Sequence, residues 1–208
     1  EKIKHFVSKE AFNIDGFGKK IVENFWSLKI LRFPQDIFQL NYKKIENLEG
    51  WGDLSVNNLK NSIKKSKKVS LDRFIYALGI RHIGQENAKL LAQHLKTADN
   101  FFKLSKTKDV NTLLNIDGIG ETQIKSIVNF FSNKINLEVL YELKKVLNIP
   151  NAELTNKSGV LKNKTFMLTG KLKGISRAEA KSLIEKNSGK ILSNVNRKLD
   201  YLIIGDKP

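Results

Sequence analysis

The sequence predicts a mainly α-helical protein of four helix–glycine turn–helix repeats, followed by a small α/β unit. Three observations carry this expectation. First, a glycine-marked loop recurs: Ile14-Asp15-Gly16-Phe17-Gly18, Leu48-Glu49-Gly50-Trp51-Gly52, Arg81-His82-Ile83-Gly84 and Ile116-Asp117-Gly118-Ile119-Gly120. Its last glycines, Gly18, Gly52, Gly84 and Gly120, stand 34, 32 and 36 residues apart. Second, an apolar residue follows four positions after each (Val22, Val56, Ala88, Ile124), and a larger one three further on (Phe25, Leu59, Leu91, Ile127). That spacing starts an amphipathic helix directly after each loop. Third, the helical period stops near Pro150, and short apolar runs take over.

Within 1–150 the helical period is carried by Ile21-Val22-Phe25-Trp26, Leu71-Phe74-Ile75-Leu78, Ala88-Leu91-Ala92-Leu95 and Ile124-Ile127-Val128-Phe131. Stretches before the loops, such as Tyr42 to Leu48 and Asp109 to Ile116, have room for one or two helical turns. Asp72 and Asp109 are placed to cap their helices. The tract Lys64-Lys65-Ser66-Lys67-Lys68 divides the repeats two and two, and reads equally as a solvated stretch or a phosphate clamp. Residues 151–163 are polar and read as a linker. A strand is expected at Thr165-Phe166-Met167-Leu168-Thr169-Gly170. A helix follows from about Ser176, its N-cap, through Ala178, Ala180, Leu183 and Ile184 to a stop at Ser188-Gly189. Strands are expected at Lys190 to Ser193 and Tyr201 to Ile204. The second domain, 164–208, thus has a β-α-β-β order.

Composition narrows the function classes. The 208 residues hold 37 Lys+Arg against 21 Asp+Glu, a formal net charge of +16. Such an excess points to nucleic acid or an anionic membrane surface; a lysine-rich, merely solvated surface is the bland alternative. With no cysteine there is no disulfide, no thiolate metal site and no cysteine nucleophile. No apolar run approaches 18 residues, so no transmembrane helix is expected. The chain opens on Glu1-Lys2-Ile3 rather than Met, which suggests a piece of a longer protein.

The doubled glycine suits phosphate for a physical reason. Glycine allows positive φ and close approach of the backbone. Outward amides and the dipole of the next helix then favour an oxyanion. Such contacts ignore base identity. The candidate phosphate-binding residues are Gly16, Gly18, Gly50, Gly52, Gly84, Gly118 and Gly120, with Lys19 and Lys20 after the first loop. In the third copy His82 replaces the first glycine, and Arg81 and His82 bring cationic character into the loop. A purely structural role in helix–helix turns is the alternative. Four copies in register in so basic a chain favour phosphate. The repeat length also fits a tetratricopeptide array, but that array's Trp, Leu-Gly, Tyr and Ala positions are missing.

The loops resemble helix-hairpin-helix motifs, in which apolar-Gly-apolar-Gly is followed by a small residue four on. Residues Phe166-Met167-Leu168-Thr169-Gly170, Arg177-Ala178-Glu179-Ala180, Ile184, Gly189-Lys190 and Asp200-Tyr201-Leu202-Ile203 resemble the start of a BRCT domain. Four hairpins followed by BRCT resemble the C-terminal part of bacterial NAD-dependent DNA ligases. The run Phe74 to Gly84 and the run Lys4-His5-Phe6-Val7-Ser8 strengthen that likeness, which covers essentially the whole chain.

The resemblance implies a nick-sealing enzyme of replication and repair, in which a lysine takes AMP from NAD and passes it to a 5′-phosphate. Its nucleophile motif is Lys-x-Asp-Gly. Here Asn13-Ile14-Asp15-Gly16 and Asn115-Ile116-Asp117-Gly118 put asparagine in place of the lysine. The chain alone is therefore expected to be catalytically silent and to need no cofactor. NAD, Mg and Zn are implied only for the longer protein, through upstream domains. The hairpins would grip double-stranded, nicked DNA along minor-groove phosphates. For the BRCT part the resemblance implies a phosphate pocket of Thr169, Gly170 and Arg177, and protein partners. Thr169-Gly170 ending a strand is an equal alternative. Ser188-Gly189 departs from the usual Gly-Gly. The implied location is the bacterial cytoplasm, at the nucleoid, with no membrane partner.

Other residues have ordinary readings. His5 and His94 lack partners at metal spacing. Trp26 and Trp51 are expected to pack, although Trp51 lies in a loop tip. Phe101-Phe102 and Phe130-Phe131 are expected in the core. Two rival functions remain: a helix-hairpin-helix DNA glycosylase, which base release would reveal, and a non-catalytic protein-interaction scaffold, which absence of salt-dependent DNA binding would favour.

Overall fold

In the computed structural model the described residues are 1–107, 110–151, 159–170, 172, 174–175, 177–192, 194–195, 197 and 199–206. For Asn111, Arg177, Ala178 and Ser182 only the backbone is described. The chain divides into two compact units, Glu1–Ala152 and Glu153–Pro208. Most of the expected 151–163 linker, together with Asp109 and Ser176, lies outside the described residues.

The first unit is helical: α1 (Lys2–Phe6), α2 (Lys19–Ser27), α3 (Tyr42–Glu46), α4 (Asp53–Ser66), α5 (Leu71–Ala77), α6 (Gln85–Leu95), α7 (Ala98–Thr107), α8 (Glu121–Ser132) and α9 (Lys134–Val146). Two 3-10 segments, Pro34–Gln39 and Asn111–Asn115, complete it. The apolar periodicity is met where it was read. Val22, Val56, Ala88 and Ile124 are buried, as are Phe25, Leu59, Leu91 and Ile127 three residues on. Burial of these side chains, rather than intrinsic propensity, is what holds such short helices.

One continuous core joins all four repeats. Loop two reaches the first repeat through Trp51, whose ring lies 5.4 Å from that of Phe25. The fourth loop meets the third repeat at Leu90, 3.0 Å from where a Cβ on Gly118 would stand. Phe101 and Phe131 pack edge to face at 5.5 Å in the same core. The lysine tract finishes α4 and is anchored by backbone. Val69 N–H donates to Asn148 O (3.2 Å), and Asn148 N–H to Lys67 O (2.8 Å).

Three details differ from the sequence reading. Ser70, not Asp72, is the N-cap of α5, and Asp72 sits in its first turn. Serine and aspartate are both good caps, and burial of Leu71 and Phe74 fixes the register in favour of Ser70. The helix-turn-helix reading also simplifies the flanks. Before the first loop, α1 ends at Phe6 and a series of turns follows; before the fourth, the flank is 3-10. Trp26 is 48% exposed. It follows the buried Phe25 on α2 and faces outward, under the guanidinium of Arg32 at 5.1 Å.

The second unit pairs three parallel strands, β1 (Thr165–Thr169), β2 (Lys190–Ile191) and β3 (Tyr201–Ile204), in the order β2-β1-β3. Helix α10 (Arg177–Lys186) joins β1 to β2 and places Ala180 and Ile184 against Phe166 and Leu168. Asp200 fixes the start of the sheet. Its carboxylate accepts from Thr165 N–H (2.7 Å) and from the Thr165 hydroxyl (2.8 Å). Those bonds, the backbone one foremost, hold the carboxyl below its ordinary pKa.

Candidate nucleic-acid interface

The four loops share one backbone. In each, an apolar amide closes a turn on the carbonyl three residues back: Phe17 on Ile14 (3.1 Å), Trp51 on Leu48 (3.1 Å), Ile83 on Ile80 (3.0 Å) and Ile119 on Ile116 (3.0 Å). The third residue of each turn is left-handed: Gly16 (φ 76°), Gly50 (81°), His82 (61°) and Gly118 (90°). That is the signature of a type II turn, which favours glycine there. His82 adopts the same conformation with a side chain, at a cost that His bears better than most residues.

The last glycine of each loop has a different position and a different reason. Gly18, Gly52, Gly84 and Gly120 are N-caps of α2, α4, α6 and α8, each with extended backbone. Their carbonyls accept the first helical hydrogen bonds, from Val22, Val56, Ala88 and Ile124 (2.9–3.1 Å). A Cβ on Gly18, Gly52 or Gly84 would meet nothing within 4 Å. Neither φ nor packing requires glycine at these three positions, and serine or asparagine caps a helix better. The exposed surface outside the loop is what a side chain would obstruct.

Each loop also has an inner and an outer side. The apolar residue between the glycines is seated inward: Phe17, Ile83 and Ile119 are buried and Trp51 is half-buried. All the loop glycines, with Lys19, Lys20, Arg81 and His82, are exposed. The sequence-read residues of the first unit therefore form four equivalent turn-and-helix tips.

Chemistry nevertheless divides the tips. The first turn of α2 holds Lys19 and Lys20 and no acid, whereas α4, α6 and α8 begin with Asp53, Glu86 and Glu121 nearby. In the second and fourth loops the amide of the last glycine is already engaged. Gly52 N–H donates to Ser55 Oγ (3.0 Å) and Gly120 N–H to Gln123 Oε1 (3.1 Å). In the third, Asn87 donates to His82 O (3.0 Å) and stabilises the turn from its carbonyl side. Sequence reasoning passed over Ser55, Asn87 and Gln123. Their common place, three residues after the last glycine, is the reciprocal-capping position and could have flagged them.

In the second unit, Gly170 has an internal explanation. Its φ is 71°, and a Cβ would lie 2.7 Å from Gly205 O and 2.8 Å from Asp206 O. Thr169 O accepts from Gly205 N–H at 2.8 Å. Arg177 begins α10, and its side chain lies outside the described residues, so the three pocket residues are related here by backbone alone. His5 is half-buried, with Nε2 2.8 Å from Tyr76 O, and His94 is exposed. Among the described residues no helix is long and apolar enough to cross a membrane.

Four glycine turns heading buried-faced helices, with a separate parallel β-α-β-β unit, define a helix-hairpin-helix protein joined to a BRCT segment. A family model for the helix-hairpin-helix motif matches residues 73–140, and one for the BRCA1 C Terminus (BRCT) domain matches residues 156–208. Over all 208 residues the chain is 74% identical to a protein of Pelagibacter ubique (strain HTCC1062) named DNA ligase, covering 31% of that protein. A DNA ligase of Rickettsia bellii (strain OSU 85-389) is 44% identical over 218 residues, with 99% of this chain and 32% of that protein covered. A DNA ligase of Ehrlichia canis (strain Jake) is 42% identical over 216 residues, with 100% and 32% covered. The chain corresponds to the helix-hairpin-helix and BRCT portion of bacterial DNA ligases, and spans about a third of the length of these relatives.

Proposed function

We propose that this chain binds duplex DNA through its backbone phosphates, without regard to sequence, as the DNA-clamping portion of an NAD-dependent DNA ligase. The observation that carries the reading is the open space at Gly18, Gly52 and Gly84, where glycine serves neither backbone conformation nor internal packing. Close approach of a ligand backbone explains it, because each of these residues heads a helix of nine or more residues, and the first amides of a helix have no intrahelical acceptor and favour an anion. The net charge of +16 supplies long-range attraction to a polyanion. Backbone amides and lysines on phosphate position a protein on DNA without reading bases.

On this reading nick sealing belongs to the whole protein. NAD would supply the adenylyl group, and NAD, Mg and Zn would be held by other parts of it. The present chain would hold the nicked duplex and be inactive alone, because asparagine precedes both Ile-Asp-Gly runs where the nucleophilic motif needs lysine. The β-α-β-β unit would serve protein partners, and the location would be the cytoplasm, at the nucleoid.

Fluorescence anisotropy with nicked duplex, intact duplex and single strand across a salt series tests the proposal. The expected result is preference for duplex and a log–log salt slope of several contacts, at about −0.9 per phosphate. A flat salt response, or no binding at low salt, overturns it in favour of the interaction scaffold.

A further inference from the structure

The first and third repeats are tied together by hydrogen bonds to backbone oxygens that the helical packing does not require. Arg73, third residue of α5, sends its side chain to the turn leading into the first glycine loop. Its Nε–H donates to Ala11 O (2.7 Å) and an Nη2–H to Lys9 O (2.5 Å). Ala11 is fully buried. One turn further along α5, His5 of α1 meets Tyr76 at two points: Nε2 lies 2.8 Å from Tyr76 O, and the two rings pack edge to face at 4.6 Å. Helix α5 then runs by way of Gly79 and Ile80 into Arg81 and the third loop. A single short helix therefore holds the third loop at its C-terminal end and the approach to the first loop at its side.

Resting on the DNA reading above, we propose that Arg73 is a positioning residue that sets the first phosphate-binding loop in register with the third. The planar guanidinium suits this task because its donors are fixed relative to one another and span two carbonyls at once. A lysine ammonium keeps the charge but is a point donor on a flexible stem. Hydrogen bonds between loop amides and phosphate weaken steeply with small errors of distance and angle. Loss of register would therefore remove the first loop's contacts from a duplex already held by the third, although Arg73 itself touches no phosphate.

The test is anisotropy on an intact duplex with the chain carrying Arg73→Lys, Arg73→Ala, Lys19→Ala with Lys20→Ala, and the combination of Arg73→Lys with the last pair. Circular dichroism checks that each variant is folded. Arg73→Lys is expected to weaken binding and to make the salt slope shallower by about 2, the release from two phosphate contacts. In the Lys19/Lys20 background the same change is expected to leave the salt slope almost unchanged, because the two cationic contacts are already gone, while binding still weakens through the loop amides. Wild-type slope in Arg73→Lys overturns the proposal, because charge alone then suffices. Full additivity of the slope changes with the Lys19/Lys20 pair overturns it as well. Absence of salt-dependent binding by the unaltered chain would sink the DNA reading and this proposal together, and is distinguished by being visible before any substitution.

Discussion

Two sets of glycines, one in each unit of this chain, stand in opposite surroundings. In the sheet unit Gly170 and Gly189 are pressed by their surroundings: a Cβ on Gly170 would run into Gly205 O and Asp206 O, and one on Gly189 would stand 2.6 Å from Ile184 Cγ2. In the helical unit the last glycines of three loops face open space with ordinary backbone angles. The first set is explained from inside the fold; the second has no explanation there, and the proposed approach of a ligand backbone supplies one. A glycine motif thus becomes informative about binding once the conformational and packing reasons have been subtracted.

Substitutions can break this comparison. The largest loss of stability is expected for Gly170→Ala, about 3 kcal/mol or more from the left-handed backbone and the carbonyl clash together. Hydrogen exchange on the amides of β1 and β3 measures it, and a loss within a few tenths of a kcal/mol would contradict the packing argument. Next comes Gly16→Ala, where open space removes the clash but φ of 76° remains; about 1–2 kcal/mol is expected in denaturant unfolding. The converse changes should stabilise. His82→Gly and Ser188→Gly each relieve a left-handed side-chain residue, at φ 61° and 68°, and should gain about 1 kcal/mol or less after the extra chain entropy of glycine. Thermal melts report both.

The smallest effect on stability is the sharpest test. Gly18→Ser keeps the extended N-cap geometry and offers a capping hydroxyl, so unfolding should change by only a few tenths of a kcal/mol. DNA binding should fall all the same, with the salt slope nearly unchanged because no cation is removed. Retained affinity would mean that the open space at Gly18 is not a place where a ligand backbone approaches.

The turn tips were legible in the sequence because everything that makes them is local. The left-handed residue, the inward apolar residue, the N-cap and the buried position four residues later all lie within nine residues. The β-α-β-β order was legible for a similar reason, since short apolar runs were separated by a helix ending at Ser188-Gly189. What was not legible depends on partners far along the chain. Arg73 bonds backbone oxygens at Lys9 and Ala11, and carbonyls leave no residue-type signal. Trp26 is apolar and continues the periodic run, yet stands one position beyond the buried Phe25 and turns to Arg32. The choice of Ser70 over Asp72 as cap was decided by which neighbours enter the core.

The inward residues of the loops have a kinetic consequence. With Phe17, Ile83 and Ile119 seated in the core, the turns are anchored by packing, and on the proposed phosphate-binding reading little ordering entropy is lost on contact. Association with a polyanion can then proceed at the rate set by electrostatic steering rather than by loop rearrangement. Variation in residence time among DNA structures would come from how many tips engage at once, a matter of multivalency more than of the quality of any one tip.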